Sequence, residues 1–436
     1  MRTSTRLTFC LALLAAATSA RAQVSDAPDA TIAGIPVNYT ESKVAPYTLP
    51  DPLKLANGGT VTDAQTWLTQ RRPELLKLFE TQVYGRIPAT APKVTWEVVS
   101  TDPNALNGTA VMKTLTAHMG SGGPTFNVTL YTPAKATRPV PVLLAINFNF
   151  AGGRGGRGPA TNRAAASAPA TARAALPGRG PGGPARGTPA EVVGAGFAYA
   201  NIYHTSIETD TDGQPNINIA RKVALAPGQA APASDEWGSI AAWAWGMSRF
   251  VDYLESDSSV DAKRVAIYGV SRLGKTVLWT AANDPRIALV VASCSGEGGA
   301  ALARRNYGET VAHLVAPTRY PYQFAGNYAQ YGKDPGTMPV DSHELLALIA
   351  PRPVLLVTGD TDRWSDPRGE FLAALAAEPV YKLLGKRGPE TTTMPNAGQR
   401  VGSDLAFFMH AGGHGTMPGD WDTILPFLAD HLHPDR

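Results

Sequence analysis

The chain has 436 residues, 44% of them hydrophobic and 17% charged, an ordinary balance for a globular protein long enough to bury a large core. Its formal net charge of +3 sits outside the body: three arginines lie in residues 1–22 and six in residues 151–190, neither with an acid, which leaves −6 for the rest. A mildly acidic body excludes a nucleic-acid-binding face as the organising feature.

Arg2 and Arg6 precede the apolar stretch LTFCLALLAAATSA, and Ala20-Arg21-Ala22 offers a small-residue cleavage site. Residues 1–22 therefore read as a secretory signal peptide. The mature chain is expected to be secreted or periplasmic, with no membrane segment. Cys10 lies in that leader, so Cys294 is the one cysteine left and no internal disulfide is expected. Residues 23–50 are polar and proline-containing and should wrap the surface as an arm. TDAQTWLTQRRPELLKLFETQVYG places Trp67, Leu68, Leu75, Leu76, Phe79 and Val83 at helical spacing, with Thr62 or Asp63 as cap and Gly85 as stop. Residues 93–132 alternate as strands do, and PVPVLLAINFNF is a buried-strand run.

Residues 151–190 are rich in Gly, Ala, Pro and Arg, without one aromatic or acid, and are expected to form a long mobile insert. Beyond them, FAYANIY, RVAIYG, IALVVASCSG and PVLLVTGD read as strands. The helical runs SDEWGSIAAWAWGMSRFVDYLES and RLGKTVLWTAAN fall between them, and WDTILPFLADHL closes the chain. This rhythm predicts an α/β fold: a mostly parallel sheet covered by helices on both faces, with its site at the carboxyl ends of the strands.

Tyr268-Gly269-Val270-Ser271-Arg272-Leu273-Gly274-Lys275 places a serine at the strand-to-helix turn, the setting of a nucleophile elbow. A serine nucleophile needs a base. His414, in the glycine-rich loop GGHGT before the last helix, is expected in that role rather than His410, which closes an apolar run. The acid should follow the strand PVLLVTG, where Asp360, Asp362 and Asp366 cluster. Asp362 is best placed to reach the imidazole, since Asp360 would bridge the turn and Asp366 precedes a proline. The histidines show no metal-ligating spacing, and no glycine-rich loop opens a helix for a dinucleotide, so neither metal nor cofactor is expected.

The elbow G-x-S-R-x-G-K resembles that of carbohydrate esterase family 15, the glucuronoyl esterases. RRPELLKLFETQVYGRIP, EWGSIAAWAWGMSRFVDYLE, SHELLALIAPRPVLLVTGDTDRWSDPRGEF and HAGGHGTMPGDW are similar to that family as well. The resemblance implies a single three-layer α/β/α hydrolase domain over residues 23–436. It also implies cleavage of esters between (4-O-methyl-)glucuronic acid on xylan and alcohols, including those of lignin. It makes Ser271 the nucleophile, His414 the base and Arg272 the oxyanion-stabilising arginine, and assigns Lys275, Glu309 and Trp364 to the sugar. Lys275 lies one helical turn past Ser271 on the same face, and Trp364 could stack on an apolar sugar face. Glu309 could instead pair with Arg304 or Arg305.

One departure concerns the acid. Many fungal members carry it at the position of Cys294, and a thiol cannot orient a histidine as a carboxylate does. That leaves Asp362, with Glu297 as the alternative. The expected partner is glucuronoxylan with its lignin esters, and the expected state is a monomer. The rival readings are an acetyl xylan or general carboxylesterase and a non-catalytic carbohydrate-binding protein on the same scaffold.

Overall fold

A computed structural model describes residues 24–149 and 186–433. The expected signal peptide, and residues 151–185 of the expected insert, lie outside them. Among the described residues, no helix is long and apolar enough to cross a membrane.

The helical segment at residues 64–84 starts where expected. The Asp63 carboxylate accepts the Thr66 amide at 2.8 Å, and Gly85 stops the segment at φ 89°. Its ladder is widened twice, by π turns at Trp67–Arg71 and Glu80–Tyr84, which a 3.6-residue pattern does not foresee. The widening rotates the buried stripe. Trp67, Leu75, Phe79, Val83 and Tyr84 are buried, whereas Leu68, expected on that stripe, faces solvent.

One sheet of ten strands organises the described residues. In chain order the strands are β1 (Val94–Asn104), β2 (Ala110–Met119), β3 (Thr125–Pro133), β4 (Val140–Asn147) and β5 (Ala198–Tyr203). They continue as β6 (Val260–Val270), β7 (Ile287–Ser293), β8 (Val354–Gly359), β9 (Gln399–Val401) and β10 (Leu405–His410). Across the sheet the order is β9-β10-β8-β7-β6-β4-β5-β3-β2-β1. Strands β10, β8, β7, β6, β4 and β5 run parallel to one another. The β1–β3 meander and β9 are antiparallel edges.

Five helices of eight or more residues follow β4 among the described residues: α1 (Ser239–Leu254), α2 (Arg272–Asn283), α3 (Ser342–Ile349), α4 (Pro367–Leu383) and α5 (Trp421–Leu432). The central strands are buried on both faces, and alternate residues serve different cores. On β4, Val142, Leu144 and Ile146 join a core with Met247 of α1, Val277 of α2, Leu345 of α3 and Phe371 of α4. Leu143 and Ala145 join a second core with Ile424 and Leu428 of α5. On β7 the same division holds for Val290 and Ala292 against Leu289 and Val291. Because β6, β7, β8 and β10 are parallel neighbours, their carboxyl ends bring Ser271, Cys294, Asp362 and the loop after His410 to one edge of the sheet.

Candidate active site

Ser271 joins β6 to α2 at φ 61°, ψ −127°, a backbone conformation unfavourable for a residue with a side chain. It is held there on both sides: its amide donates to the Ser293 carbonyl on β7 at 2.8 Å, and its carbonyl accepts the Lys275 amide at 3.1 Å. The two glycines of the motif are explained by clearance. A Cβ at Gly269 would lie 2.3 Å from the Leu273 carbonyl oxygen, and one at Gly274 would lie 3.0 Å from that of Ser293. The second glycine falls one residue late because it is the point where α2 passes the end of β7. The first amides of α2 have no acceptor within the helix, and they and the helix dipole favour negative charge near Ser271.

The loop carrying His414 is tied to the elbow by hydroxyls. Tyr268 donates to Thr416 Oγ1 at 2.8 Å, and Thr416 donates to Ser293 Oγ at 2.8 Å. His414 Nδ1 lies 2.7 Å from Asp362 Oδ2, with Ser365 Oγ at 3.1 Å. Burial would raise the Asp362 carboxyl, but the neighbouring His414 charge and hydrogen bonds from His414, Ser365 and Cys294 hold it below the usual carboxylate range. With Nδ1 engaged, Nε2 is the ring nitrogen left to exchange a proton. Asp360 accepts the Gly412 amide at 2.9 Å and so bridges the turn. Asp366, which precedes Pro367, caps α4 by accepting the Gly369 amide and pairs with Arg305 at 2.7 Å. Glu297 is buried beneath Tyr328, whose hydroxyl donates to it at 3.3 Å. His410 is buried and pairs with Asp420 at 3.0 Å.

Lys275, Glu309 and Trp364 come together although they lie far apart in the chain. Lys275 Nζ is 3.7 Å from Glu309 Oε2, and the Glu309 amide donates to the Trp364 carbonyl at 2.9 Å. Glu309 does not pair with Arg304 or Arg305. Its partner is Arg319 at 3.0 Å, whose guanidinium also stacks over Tyr320 and Trp364. Burial pushes the Lys275 ammonium below its ordinary range, against the pull of Glu309 and with the help of the Arg272 charge.

A family profile described as "Glucuronyl esterase, fungi" matches residues 232–385. The chain is 37% identical over 414 residues to the carbohydrate esterase MZ0003 of an unknown prokaryotic organism, covering 91% of this chain and 92% of that one. It is 28% identical to a 4-O-methyl-glucuronoyl methylesterase of Schizophyllum commune, covering 86% and 81% of the two chains. The solved structure of a glucuronoyl esterase from Solibacter usitatus superposes with a TM-score of 0.78 at 39% identity, covering 90% of this chain and all of that one. This chain belongs to carbohydrate esterase family 15, the glucuronoyl esterases. Its ten-stranded sheet and flanking helices are accordingly an α/β-hydrolase fold.

Several groups at the esterase's site were not foreseen from the sequence. Arg319 and Tyr320 arrive from an irregular loop: Arg319 pairs with Glu309 and lies over Trp364, and the Tyr320 ring lies against the guanidiniums of Arg272 and Arg319. Tyr39 shows that the N-terminal arm does more than wrap the surface. Its phenol is pushed up to about 12 by burial and by the nearby Asp362 and Glu309 carboxylates. Cys294 lies with Asp362 and His414 so that their donor atoms are within 4.8 Å of one another, a grouping able to hold a metal ion that no sequence spacing announced. Burial pushes the Cys294 thiol well up, which favours the neutral form over the thiolate a metal would need.

Proposed function

We propose that this esterase hydrolyses the ester between the carboxyl group of (4-O-methyl-)glucuronic acid on glucuronoxylan and an alcohol, lignin alcohols included. In this reading it works outside the cytoplasm, after loss of residues 1–22. Ser271 Oγ attacks the uronate carbonyl carbon and gives its proton to His414 Nε2, while Asp362 fixes the ring and offsets its charge. The oxyanion meets the Arg272 guanidinium and the first amides of α2. Collapse of the tetrahedral species breaks the bond to the alcohol, which leaves with the proton from His414. Water, deprotonated by His414, then attacks the uronyl-serine, and glucuronate departs as Ser271 regains its proton.

The observation that carries the substrate reading is the buried polar group Lys275–Glu309–Arg319 beside Trp364, one helical turn from the serine. Charged groups facing a ring bearing hydroxyls suit a sugar. A pocket for an acyl chain would be lined with apolar groups. The test compares kcat/KM on methyl glucuronate and on p-nitrophenyl acetate. Glucuronate is expected to be preferred, and Ser271→Ala is expected to lower kcat on it by at least about 10³-fold while sugar binding persists. Preference for the acetate would instead favour a general carboxylesterase, and an active Ser271→Ala would remove Ser271 from the mechanism.

A further inference from the structure

Arg272 begins α2, so the elbow fixes its backbone but not its long side chain. Two contacts fix the side chain. Nη1 donates to both carboxylate oxygens of Asp210, at 2.8 and 3.0 Å, and the Tyr320 ring lies across the guanidinium 4.5 Å from its carbon. One contact sets the direction of the fork and the other its plane. Both leave Nη2 and Nε for an incoming charge.

Asp210 is itself held from four sides. Its Oδ2 lies 2.9 Å from His204 Nε2, whose other nitrogen meets the Asn147 carbonyl at 3.0 Å. Its Oδ1 accepts from Tyr322 at 2.6 Å and from Gln323 at 3.4 Å. The side chain is 6% exposed. Burial works against its charge, but Arg272, His204 and Tyr322 together hold the carboxyl well below the usual carboxylate range. A surface ion pair would be a loose tether, whereas a buried carboxylate with this many donors is rigid.

We propose that Asp210 is a positioning residue for the ester cleavage: it holds the Arg272 guanidinium in the attitude that receives the oxyanion. The proposal rests on the reading of Arg272 as the oxyanion donor. Its value would lie in preorganisation, since a donor already in place does not reorganise as charge develops.

The test uses Asp210→Ala, Arg272→Ala and the double variant, on methyl glucuronate and on p-nitrophenyl acetate, with Ser271→Ala as the blank. Removing an oxyanion donor lowers turnover by about 10²–10³-fold. Asp210→Ala is expected to lower kcat by roughly tenfold or more with KM held within about threefold. In the Arg272→Ala background the same change should lower kcat by less than about twofold. Asp210→Glu should restore part of the rate. A loss from Asp210→Ala that is equal with and without Arg272 overturns the proposal, as does no loss or a faster enzyme. Tyr322→Phe removes one bond to Asp210 and covers the case in which Asp210→Ala does not fold. Its loss in kcat must vanish in the Arg272→Ala background, and persistence there also overturns the proposal. Should the wild type cleave only the acetate, the glucuronate reading falls while the comparison is completed on the acetate.

Discussion

Asp362 faces His414 at 2.7 Å, whereas Glu297 ends under Tyr328 and is pushed well above the usual carboxylate range by burial and by neighbouring carboxylates. The two acids therefore answer differently to neutralisation. Asp362→Asn keeps the shape but offers an amide that favours the wrong imidazole tautomer, so kcat on a glucuronate ester is expected to fall by about 10⁴-fold. Glu297→Gln exchanges a buried acid, whose charged form burial disfavours, for a near isostere and is expected to cost less than about tenfold. The opposite ranking would move the triad acid to Glu297. Ser271, Arg272 and Lys275 were legible because one elbow and one helical turn carry all three, and His414 because a glycine loop before the last helix carries it. Asp210, Arg319 and Tyr320 were not, since they reach the site from loops without periodicity or motif.

Among the elements, α2 runs over Arg272–Asn283, as its sequence indicated, because an apolar stripe follows directly on a strand and a glycine turn. The helix α4 was less legible. Pro379 lies inside it, and an interior proline ordinarily argues against a helix, while its cap Asp366 reads locally as a turn residue. That cap carries two duties, the Gly369 amide and the buried Arg305. Asp366→Ala leaves the buried Arg305 with one of its two carboxylate partners, as well as a frayed helix start. It is expected to lower unfolding stability by about 3–5 kcal/mol, read from urea denaturation. A loss below about 1 kcal/mol would mean that Glu41, 2.8 Å from Arg305, is a sufficient partner.

At the scale of the whole molecule, buried carboxyls give the stability a direction with pH. Burial raises Glu370 from 4.5 to about 8 and Glu344 to about 7. In the folded state each keeps a proton that the unfolded chain releases above its lower, ordinary value. Their contribution is therefore complete in acid and is lost as pH rises towards 7 and 8, at roughly 1.4 kcal/mol for each pH unit and group. Asp362, Asp257 and Asp284, held low, act in the opposite sense and lose their contribution as pH falls through their folded values. Glu370→Gln is expected to flatten the decline in Tm between pH 5 and 8, and an unchanged slope would place that titration elsewhere. The parallel centre of the sheet was readable from its unbroken apolar runs. The strand β10 was not, because its six residues are a continuous apolar run closed by His410, without the alternation that separates a strand from a buried helical turn.

The hydroxyls of Tyr268, Thr416 and Ser293 form a relay, in which Tyr268 donates to Thr416 and Thr416 spends its one proton on Ser293. The loop bearing His414 cannot swing away by breaking one of them in a tolerable way, because each rupture strands an oxygen in partly buried surroundings. Displacement of His414 is therefore tied to that of Thr416, so the part of the loop that bears the histidine is expected to move as one piece with its hydroxyl anchor.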